Sequence, residues 1–181
     1  KGDFHEGLNM AGVFKLPVVF ICQNNQWAIS VPRERQTASK TLAQKAFAYG
    51  FEGIQVDGND VFAVYKATKE ALEKAKRGNG PAFIECFTYR LSDHTTADDA
   101  TRYRSKEEVE IWKARDPILR LKLFMKEKGL WSESYHKEVE ERAKILVDEA
   151  VKKEESIDKP KPEDMFKYTY KSPTSRQLRQ M

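Results

Sequence analysis

Apolar and polar residues alternate in blocks over the first half of the chain, and this pattern predicts strands separated by helices. Short apolar runs with β-branched residues favour buried strands, whereas apolar residues at intervals of three or four favour helices. The predicted strands cover residues 18–22, 53–57 and 82–89, and the predicted helices cover residues 7–14, 41–49 and 61–76. Such alternation with short connections is typical of a parallel sheet. We therefore predict an α/β fold, a parallel sheet with flanking helices.

The helix predicted over residues 61–76 carries an apolar stripe that favours a core face. Asp60 precedes this helix and is suited to cap it. The stripe consists of Val61, Val64, Tyr65, Thr68, Ala71, Leu72 and Ala75. Apolar residues at this spacing point to one side of a helix. We therefore interpret the stripe as a core face and not as a functional one.

The pattern changes after residue 89. Residues 90–105 are polar and without periodicity, which is typical of a loop that is functional or disordered. Helices are predicted over residues 106–113, 117–128 and 133–155, with Asp116 and Ser132 as caps. From residue 159 the chain is broken by prolines, and we expect an extended arm that orders against a partner. The predicted domains are an α/β domain at 1–105, a helical region at 106–158 and a tail at 159–181.

Composition limits the classes of protein. Charged residues make up 33% of the 181 residues and are well mixed, with a net charge of only +4. This balance gives no support for a nucleic-acid surface, and no apolar run approaches the roughly 18 to 20 residues that cross a bilayer. We expect no nucleic-acid or membrane partner and a cytoplasmic protein, or one of the mitochondrial matrix if it is eukaryotic. Cys22 and Cys86 lie in predicted strands and are interpreted as core thiols of a reducing compartment.

The beginning of the chain suggests a fragment. Lys1 is not preceded by an initiator Met, and Gly12 and Pro17 close a helical segment almost as soon as it starts. We therefore expect the sequence to begin within a fold. Asp3 is either the cap of the helix at residues 7–14 or a metal ligand at a strand end, and the sequence favours the cap.

Two adjacent asparagines, Asn24 and Asn25, follow the first predicted strand. The carboxyl edge of a parallel sheet is where such folds place ligands. Amide carbonyl oxygens are hard neutral ligands for Mg²⁺ or Ca²⁺ when carboxylates and phosphates supply the charge. The alternative is a simple turn, because asparagine tolerates left-handed backbone angles. By itself the pair leaves both interpretations open.

The loop after the third strand contains the other candidate residues. His94 is placed to donate a hydrogen bond to a phosphate or to transfer protons, or it is an ordinary solvated loop histidine. Arg90 offers a planar fork suited to a carboxylate or phosphate. The segment 102–104 is expected to form ion pairs with nearby acidic residues and so to hold the loop. His5 has no partner at metal-ligand spacing and is expected to be structural or at the surface.

Several segments together resemble the alpha subunit of the decarboxylating component of 2-oxo acid dehydrogenases. The resemblance starts with GDFHEGLNMAG at residues 2–12 and QNNQWAIS at residues 23–30, which are similar to the second half of a thiamine diphosphate motif. It continues through VDGNDVFAVY at residues 56–65 and through Tyr89-Arg90, His94-Thr95, Asp98-Asp99 and Tyr103-Arg104-Ser105. The segments at 56–65 and 159–162 are more similar to the branched-chain members than to the pyruvate members.

The resemblance implies roles for Asn25, Trp27 and His94, and Arg90, whose guanidinium suits a phosphate, is predicted to bind the cofactor with them. Asn25 matches the motif asparagine whose side chain binds Mg²⁺, and Trp27 stands at the position, usually Tyr, whose main-chain carbonyl binds the same ion. His94 matches a loop histidine that helps to bind the cofactor and assists acylation of the lipoyl group, with Arg90 beside it. The metal-binding Asp of the motif would lie a few residues before Lys1, so Asp3 is the later acidic residue and not the metal ligand. The implied cofactors are thiamine diphosphate and Mg²⁺.

The implied reaction is decarboxylation of a branched-chain 2-oxo acid followed by transfer of the acyl group to a lipoyl arm. The implied partners are a beta subunit in an alpha-two, beta-two assembly, the lipoyl-bearing acyltransferase and the amino-terminal part of the same subunit. A pyruvate or acetoin dehydrogenase is the alternative within enzymes. A non-catalytic binding module with a basic tail is the alternative of another class.

Overall fold

The structure is a computed structural model that describes residues 2–181 and contains a three-stranded parallel sheet. The strands are β1 (Val19–Asn24), β4 (Gly53–Asp57) and β5 (Ala82–Phe87), and the short strands β2 (Trp27–Ala28) and β3 (Val31–Pro32) form a separate antiparallel pair. In the order β1-β5-β4, the central strand β5 pairs with both neighbours in parallel. The predicted α/β fold with a parallel sheet is confirmed.

The structure contains seven α-helices within residues 2–181. They are α1 (Gly2–Val13), α2 (Val61–Lys76), α3 (Lys106–Lys113), α4 (Pro117–Glu127), α5 (Glu133–Glu155), α6 (Asp164–Lys167) and α7 (Ser175–Leu178). Short 3₁₀ helices lie at Arg33–Arg35, Ala43–Tyr49 and Ala100–Arg102. None of the helices within residues 2–181 combines the length and the apolar character that crossing a membrane requires.

The sheet separates two small cores. On one face Leu8 of α1 packs with Ala43, Ala46, Phe51 and Phe83. On the other face α2 places Ala67 and Ala71 against Ala82, Ile84 and Cys86. Residues of β5 therefore alternate between the two cores, as the side chains of a strand do.

Local signals determine the ends of several helices as expected. The Asp60 carboxylate accepts hydrogen bonds from the N–H groups of Phe62 and Ala63, and Asp116 and Ser132 cap α4 and α5 in the same way. Gly50 ends the Ala43–Tyr49 helix with φ of 79°, a left-handed angle that glycine adopts without strain. That segment is a 3₁₀ helix and not the α-helix predicted over 41–49.

Four expectations about these elements were wrong. Helix α1 begins at Gly2 and not at residue 7, so Asp3 lies in its first turn and is not a cap before residue 7. Strand β1 runs through Asn24, which pairs with Phe87, and it is not fully buried because Ile21 is 55% exposed. Strand β5 ends at Phe87, two residues before the predicted end. The tail is not a simple extended arm, because Thr174 and Gln177 form a capping box that starts α7.

Helix α2 buries one side, as a core face does, but only part of its apolar stripe is buried. Ala67, Ala71 and Ala75 lie against the sheet, whereas Tyr65 is 66% exposed and Leu72 is 45% exposed. Small side chains let a helix axis approach a sheet closely, so the alanine side is the one that faces β4 and β5. The larger residues at the margin of the stripe are turned outward.

The chain forms two compact units, one ending at Leu130 and the other comprising Trp131–Met181. Within the first unit, α3 and α4 contact the α/β part. The Trp112 ring of α3 stacks on Tyr89 with centroids 5.2 Å apart, and Phe124 of α4 meets Phe62 at 4.9 Å. The domain limits at 105 and 158 stay a prediction.

Candidate functional site

The two asparagines at the end of β1 have different surroundings. Asn24 is only 5% exposed, and its amide Nδ2 donates to Glu85 Oε1 at 2.6 Å while its Oδ1 accepts from the Gln26 N–H at 3.1 Å. Its side chain is therefore held inside the fold. Asn25, one residue further, is half-buried and leaves the strand.

Asn25 has an oxygen that can still take a ligand. Its Oδ1 accepts one hydrogen bond, from the Trp27 N–H at 3.1 Å, and an amide oxygen has two lone pairs. Its main-chain oxygen accepts from the Arg90 N–H at 3.2 Å. These bonds join the turn after β1 to the loop after β5 and fix the direction of the Asn25 side chain.

The turn between Asn24 and Trp27 is strained. Gln26 has φ of 70°, a left-handed angle that costs a non-glycine residue about 1 kcal/mol or more. Two hydrogen bonds to Asn24 hold Gln26 there: the Gln26 N–H donates to Asn24 Oδ1, and Gln26 Nε2 donates to the Asn24 main-chain oxygen, each at 3.1 Å. Backbone strain of this kind is found at ligand sites, where the fold maintains it.

The Trp27 ring is fixed by aromatic neighbours. Its centroid lies 5.4 Å from that of Tyr103, and Trp27 Nε1 and Tyr89 Oη are buried without a hydrogen-bond partner within residues 2–181. Burial raises the pKa of Tyr89, and the nearby indole N–H partly offsets this shift although the two groups do not meet in hydrogen-bond geometry. The main chain of Trp27 lies in β2, paired with Pro32 of β3.

A network of polar side chains connects Arg90 to the loop at residues 90–105. Arg90 Nη2 donates to the Ile29 main-chain oxygen at 2.7 Å and to Tyr103 Oη at 2.8 Å, and the Tyr103 hydroxyl donates to Asp98 Oδ2 at 2.5 Å. Arg90 Nε is buried and has no partner within the described residues. These contacts give Arg90 a part in holding the loop, and its predicted part in cofactor binding stays a prediction.

The structure connects His94 to this network only through its main chain. The His94 N–H donates to Asp98 Oδ2 at 2.8 Å, and the residue is exposed. The Tyr103 hydroxyl, followed by the His94 N–H, holds the pKa of Asp98 below its ordinary value. Within residues 2–181 the imidazole makes no hydrogen bond to Asn25 or Trp27. Its predicted catalytic and cofactor-binding roles therefore stay predictions.

The loop is not held by the ion pairs expected at residues 102–104. Arg104 Nη1 donates to the Arg90 main-chain oxygen, and its Nη2 donates to those of Leu91 and Ser92 at 2.7 and 2.9 Å. A guanidinium has five donors in a fixed fork, which suits it to several carbonyl groups at once. The loop is thus held by the Arg104 side chain, which donates to main-chain oxygens, and by the Asp98 carboxylate, which accepts from the Tyr103 hydroxyl and the His94 N–H.

Glu85 is a residue of this site that the sequence interpretation missed. It is fully buried on β5, its Oε1 accepts from Asn24 and its Oε2 accepts from the Ala43 N–H at 2.9 Å. One signal was available: it is the only charged residue in the otherwise apolar strand Ala82–Phe87. Buried charges are rare and are usually paired.

The remaining candidates lie apart from the asparagine turn. His5 contacts the Tyr49 hydroxyl through Nδ1, which agrees with the expected structural role. Cys22 and Cys86 are both free, and burial, followed by the Glu85 carboxylate, raises the pKa of both thiols. These cysteines are therefore poorly reactive.

The metal chemistry of the site is that of neutral oxygen donors. Residues 2–181 contain no group of three or more His, Cys, Asp or Glu side chains arranged to hold a metal ion. Asn25 Oδ1 and a main-chain carbonyl are hard oxygen ligands that fit Mg²⁺, provided that phosphates and a carboxylate from elsewhere supply the negative charge. The residues present fit part of a magnesium diphosphate site.

Comparison with known proteins identifies the class of protein to which this fold and site belong. Residues 1–163 match the family described as dehydrogenase E1 component, so the chain belongs to that family. It is 48% identical over 171 residues to the pyruvate dehydrogenase E1 component subunit alpha of Staphylococcus aureus. This match covers 94% of this chain and 46% of that protein. The Bacillus subtilis protein of the same name gives the same identity and coverage.

A relative with a different substrate in its name is also similar. The chain is 55% identical over 144 residues to the 3-methyl-2-oxobutanoate dehydrogenase subunit alpha of Mycobacterium tuberculosis, a match covering 80% of this chain and 39% of that protein. The chain therefore spans about half, or less, of the length of these relatives. The predicted family is confirmed, and the branched-chain preference stays a prediction.

Proposed function

We propose that this chain is part of the alpha subunit of a 2-oxo acid dehydrogenase and holds Mg²⁺ and thiamine diphosphate through Asn25 and the Trp27 main-chain carbonyl. The observation that carries the proposal is the difference between the surroundings of Asn24 and Asn25 at the end of β1. Asn24 is buried and is hydrogen-bonded inside the fold through both side-chain polar atoms, whereas Asn25 is half-buried at the carboxyl edge of the sheet and its Oδ1 accepts one hydrogen bond, which leaves a lone pair for a ligand. Family membership supports it independently.

The residues of this chain would bind and orient the cofactor. Asn25 and Trp27 contribute two neutral oxygens to the metal, and residues outside this chain contribute the rest. His94, on the exposed loop, donates to the diphosphate and assists acyl transfer to the lipoyl group. When bound, thiamine diphosphate supplies the carbanion chemistry that removes CO₂ from a 2-oxo acid.

We propose a branched-chain 2-oxo acid as the substrate. The similarity of segments 56–65 and 159–162 to branched-chain members supports it, as does the 55% identity to a subunit named for 3-methyl-2-oxobutanoate. Pyruvate is the second candidate, because relatives named for it match a larger share of the chain, 94% against 80%. The partners in either case are a beta subunit and a lipoyl-bearing acyltransferase.

The test is a decarboxylation assay on the full-length alpha subunit assembled with its beta subunit. We expect thiamine diphosphate and Mg²⁺ to be required, and branched-chain 2-oxo acids to be used with higher kcat/KM than pyruvate. The reverse order would replace the proposed substrate by pyruvate. Absence of activity with either substrate in an intact assembly would favour the non-catalytic binding module.

Variants test the residues. Asn25→Ala should weaken binding of Mg²⁺ and thiamine diphosphate by at least about tenfold, because even the loss of a residue that only orients a metal ligand costs about 10- to 100-fold, while Asn79→Ala, which removes an exposed amide before β5, should not. His94→Ala should lower acyl transfer to lipoamide more than it lowers decarboxylation. Unchanged affinity in Asn25→Ala would contradict the metal role, and full overall activity in His94→Ala would contradict the acyl-transfer role.

A further inference from the structure

The side chain of Glu85 is fully buried against one face of the sheet and contacts Asn24, the residue before the asparagine turn. Glu85 sits in the middle of β5, with Cys22 of β1 and Gln55 of β4 as its neighbours in register, and it is fully buried. Burying a carboxylate is costly unless its oxygens accept hydrogen bonds. Its partners therefore indicate why this strand carries a glutamate.

Glu85 sets the direction of the Asn24 amide. Its Oε1 accepts from Asn24 Nδ2 at 2.6 Å, and its Oε2 accepts from the Ala43 N–H at 2.9 Å. Both Glu85 oxygens thus accept from N–H donors, and Asn24 turns its NH₂ group toward Glu85. The Asn24 Oδ1 atom then points to the turn.

The orientation of the Asn24 amide in turn stabilises the strained backbone of Gln26. Asn24 Oδ1 accepts from the N–H of Gln26, whose φ is 70°. If the amide were reversed, its NH₂ group would face the Gln26 N–H, and two donors would meet. The next residue, Trp27, donates its N–H to Asn25 Oδ1, so the position of Gln26 also determines where Asn25 and the Trp27 carbonyl lie.

We propose that Glu85 is a positioning residue that holds the turn of Asn25 and Trp27 in its metal-binding conformation through Asn24. This inference rests on the proposed function, in which those two residues ligate Mg²⁺. Glu85 itself contacts neither metal nor cofactor. Its effect passes through the chain of hydrogen bonds from Glu85 to Asn24 to Gln26.

The test exchanges donor and acceptor within the buried pair, in the full-length alpha subunit assembled with its beta subunit. Glu85→Gln leaves one acceptor for two N–H donors, and Asn24→Asp places two carboxylates together. The double variant Glu85→Gln/Asn24→Asp restores the pairing with reversed polarity. In it, the introduced amide at position 85 donates to the introduced carboxylate at position 24 and accepts from the Ala43 N–H, while that carboxylate also accepts from the Gln26 N–H. The control is Cys86→Ala, which alters the adjacent buried residue on the opposite face of β5.

Two measurements are made on each variant. The first is hydrogen–deuterium exchange of the cofactor-free protein over residues 23–30, which reports the turn directly. The second is the affinity for thiamine diphosphate with Mg²⁺. We expect each single variant to exchange faster over this segment and to lose about 10- to 100-fold in affinity, as is usual for residues that orient metal ligands. The double variant should recover most of both, and Cys86→Ala should change neither.

Each outcome decides the inference. Wild-type exchange and affinity in Glu85→Gln would overturn it, and so would faster exchange without a loss of affinity. If Glu85→Gln fails to fold, recovery in the double variant supports the pairing, and failure of the double variant overturns it. A wild-type assembly that binds no thiamine diphosphate would contradict the proposed function instead, while the exchange measurement would still report on Glu85.

Discussion

Asn24 and Asn25 are neighbours of the same residue type at the end of β1, but their side chains have different surroundings. The sequence predicted that an asparagine pair would stand at the carboxyl edge of a parallel sheet, because strand ends can be recognised from the apolar run that precedes them. It could not predict that Asn24 faces inward, since that depends on Glu85, which is distant in sequence and adjacent in the sheet. Long-range pairing of this kind has no local signal.

Replacing the two asparagines should separate stability from binding. Asn24→Ala removes the hydrogen-bond partner of Glu85 Oε1 and of the Gln26 N–H, so we expect the free energy of unfolding to fall by about 1 to 3 kcal/mol. Asn25→Ala removes one hydrogen bond from a half-buried residue and should cost less than about 1 kcal/mol. Denaturant unfolding of the full-length protein without cofactor measures both. Equal losses for the two variants would contradict the division of roles.

The loop at residues 90–105 should loosen in acid. The pKa of Asp98 is lowered by the Tyr103 hydroxyl and the His94 N–H, so the ionised form is favoured in the folded state. Its contribution is therefore fully present above the ordinary pKa of about 3.8 and is lost as the pH falls through the lower folded value. Hydrogen exchange across the loop, measured between pH 6 and pH 3, should show loss of protection at the acid end.

Tyr103→Phe is the matched variant for this pH dependence. It removes the donor that lowers the pKa of Asp98 most, the Tyr103 hydroxyl, while keeping the ring against Trp27. The loss of protection should then begin at higher pH, closer to the ordinary pKa of an aspartate. The same pH dependence in both proteins would show that the Tyr103 hydroxyl does not hold the Asp98 carboxylate in its ionised form.

At the scale of elements, the capped starts of α2, α4 and α5 were predictable, whereas the start of α1 and the extent of burial along α2 were not. Asp60, Asp116 and Ser132 act on N–H groups two or three residues away, so their effect can be read from the local sequence. The face that α2 buries depends on how closely it approaches the sheet, and the alanine side is buried in preference to the larger residues. Helix α1 continues through Gly7 because Leu8 and Ala11 are buried, which outweighs the low helix propensity of glycine.

Two glycines of α1 should respond oppositely to alanine. A Cβ on Gly12 would lie 2.1 Å from the Tyr49 main-chain oxygen, whereas a Cβ on Gly7 would meet nothing within 4 Å. Gly12→Ala must therefore push α1 away from the Ala43–Tyr49 helix, at a cost of about 1 to 3 kcal/mol. Gly7→Ala should stabilise the protein by about 0.5 to 1 kcal/mol, because alanine loses less backbone entropy. Thermal unfolding of both variants compares them, and a lower Tm for Gly7→Ala would refute the packing argument.

At the scale of the whole molecule, the proposed site draws on three separate segments of the chain. The turn after β1 contains Asn25, the short strand β2 contains Trp27, and the loop after β5 contains His94; all three segments lie within the residues that match the family. The resemblance could transfer roles to matching residues but could not supply the buried support, since Glu85 and Tyr103 act through contacts and not through a motif. The division of the chain into two compact units at Leu130 likewise depends on the packing of α3 and α4 in the first unit.

The outer side of β1 provides a test on the complete protein. Within residues 2–181, β1 pairs only with β5, and the apolar Ile21 is 55% exposed. The chain spans only about half the length of its relatives, and apolar residues in a strand of a parallel sheet are normally covered on both faces. We therefore expect the rest of the full-length assembly to cover Ile21.

In that assembly Ile21→Cys should react with a maleimide at least about tenfold more slowly than Ile157→Cys, which replaces an exposed residue, since a buried thiol reacts only after local opening. Cys22 and Cys86 give little background because the pKa of each thiol is raised by burial. Equal labelling rates at the two introduced positions would show that Ile21 faces solvent in the complete protein as well.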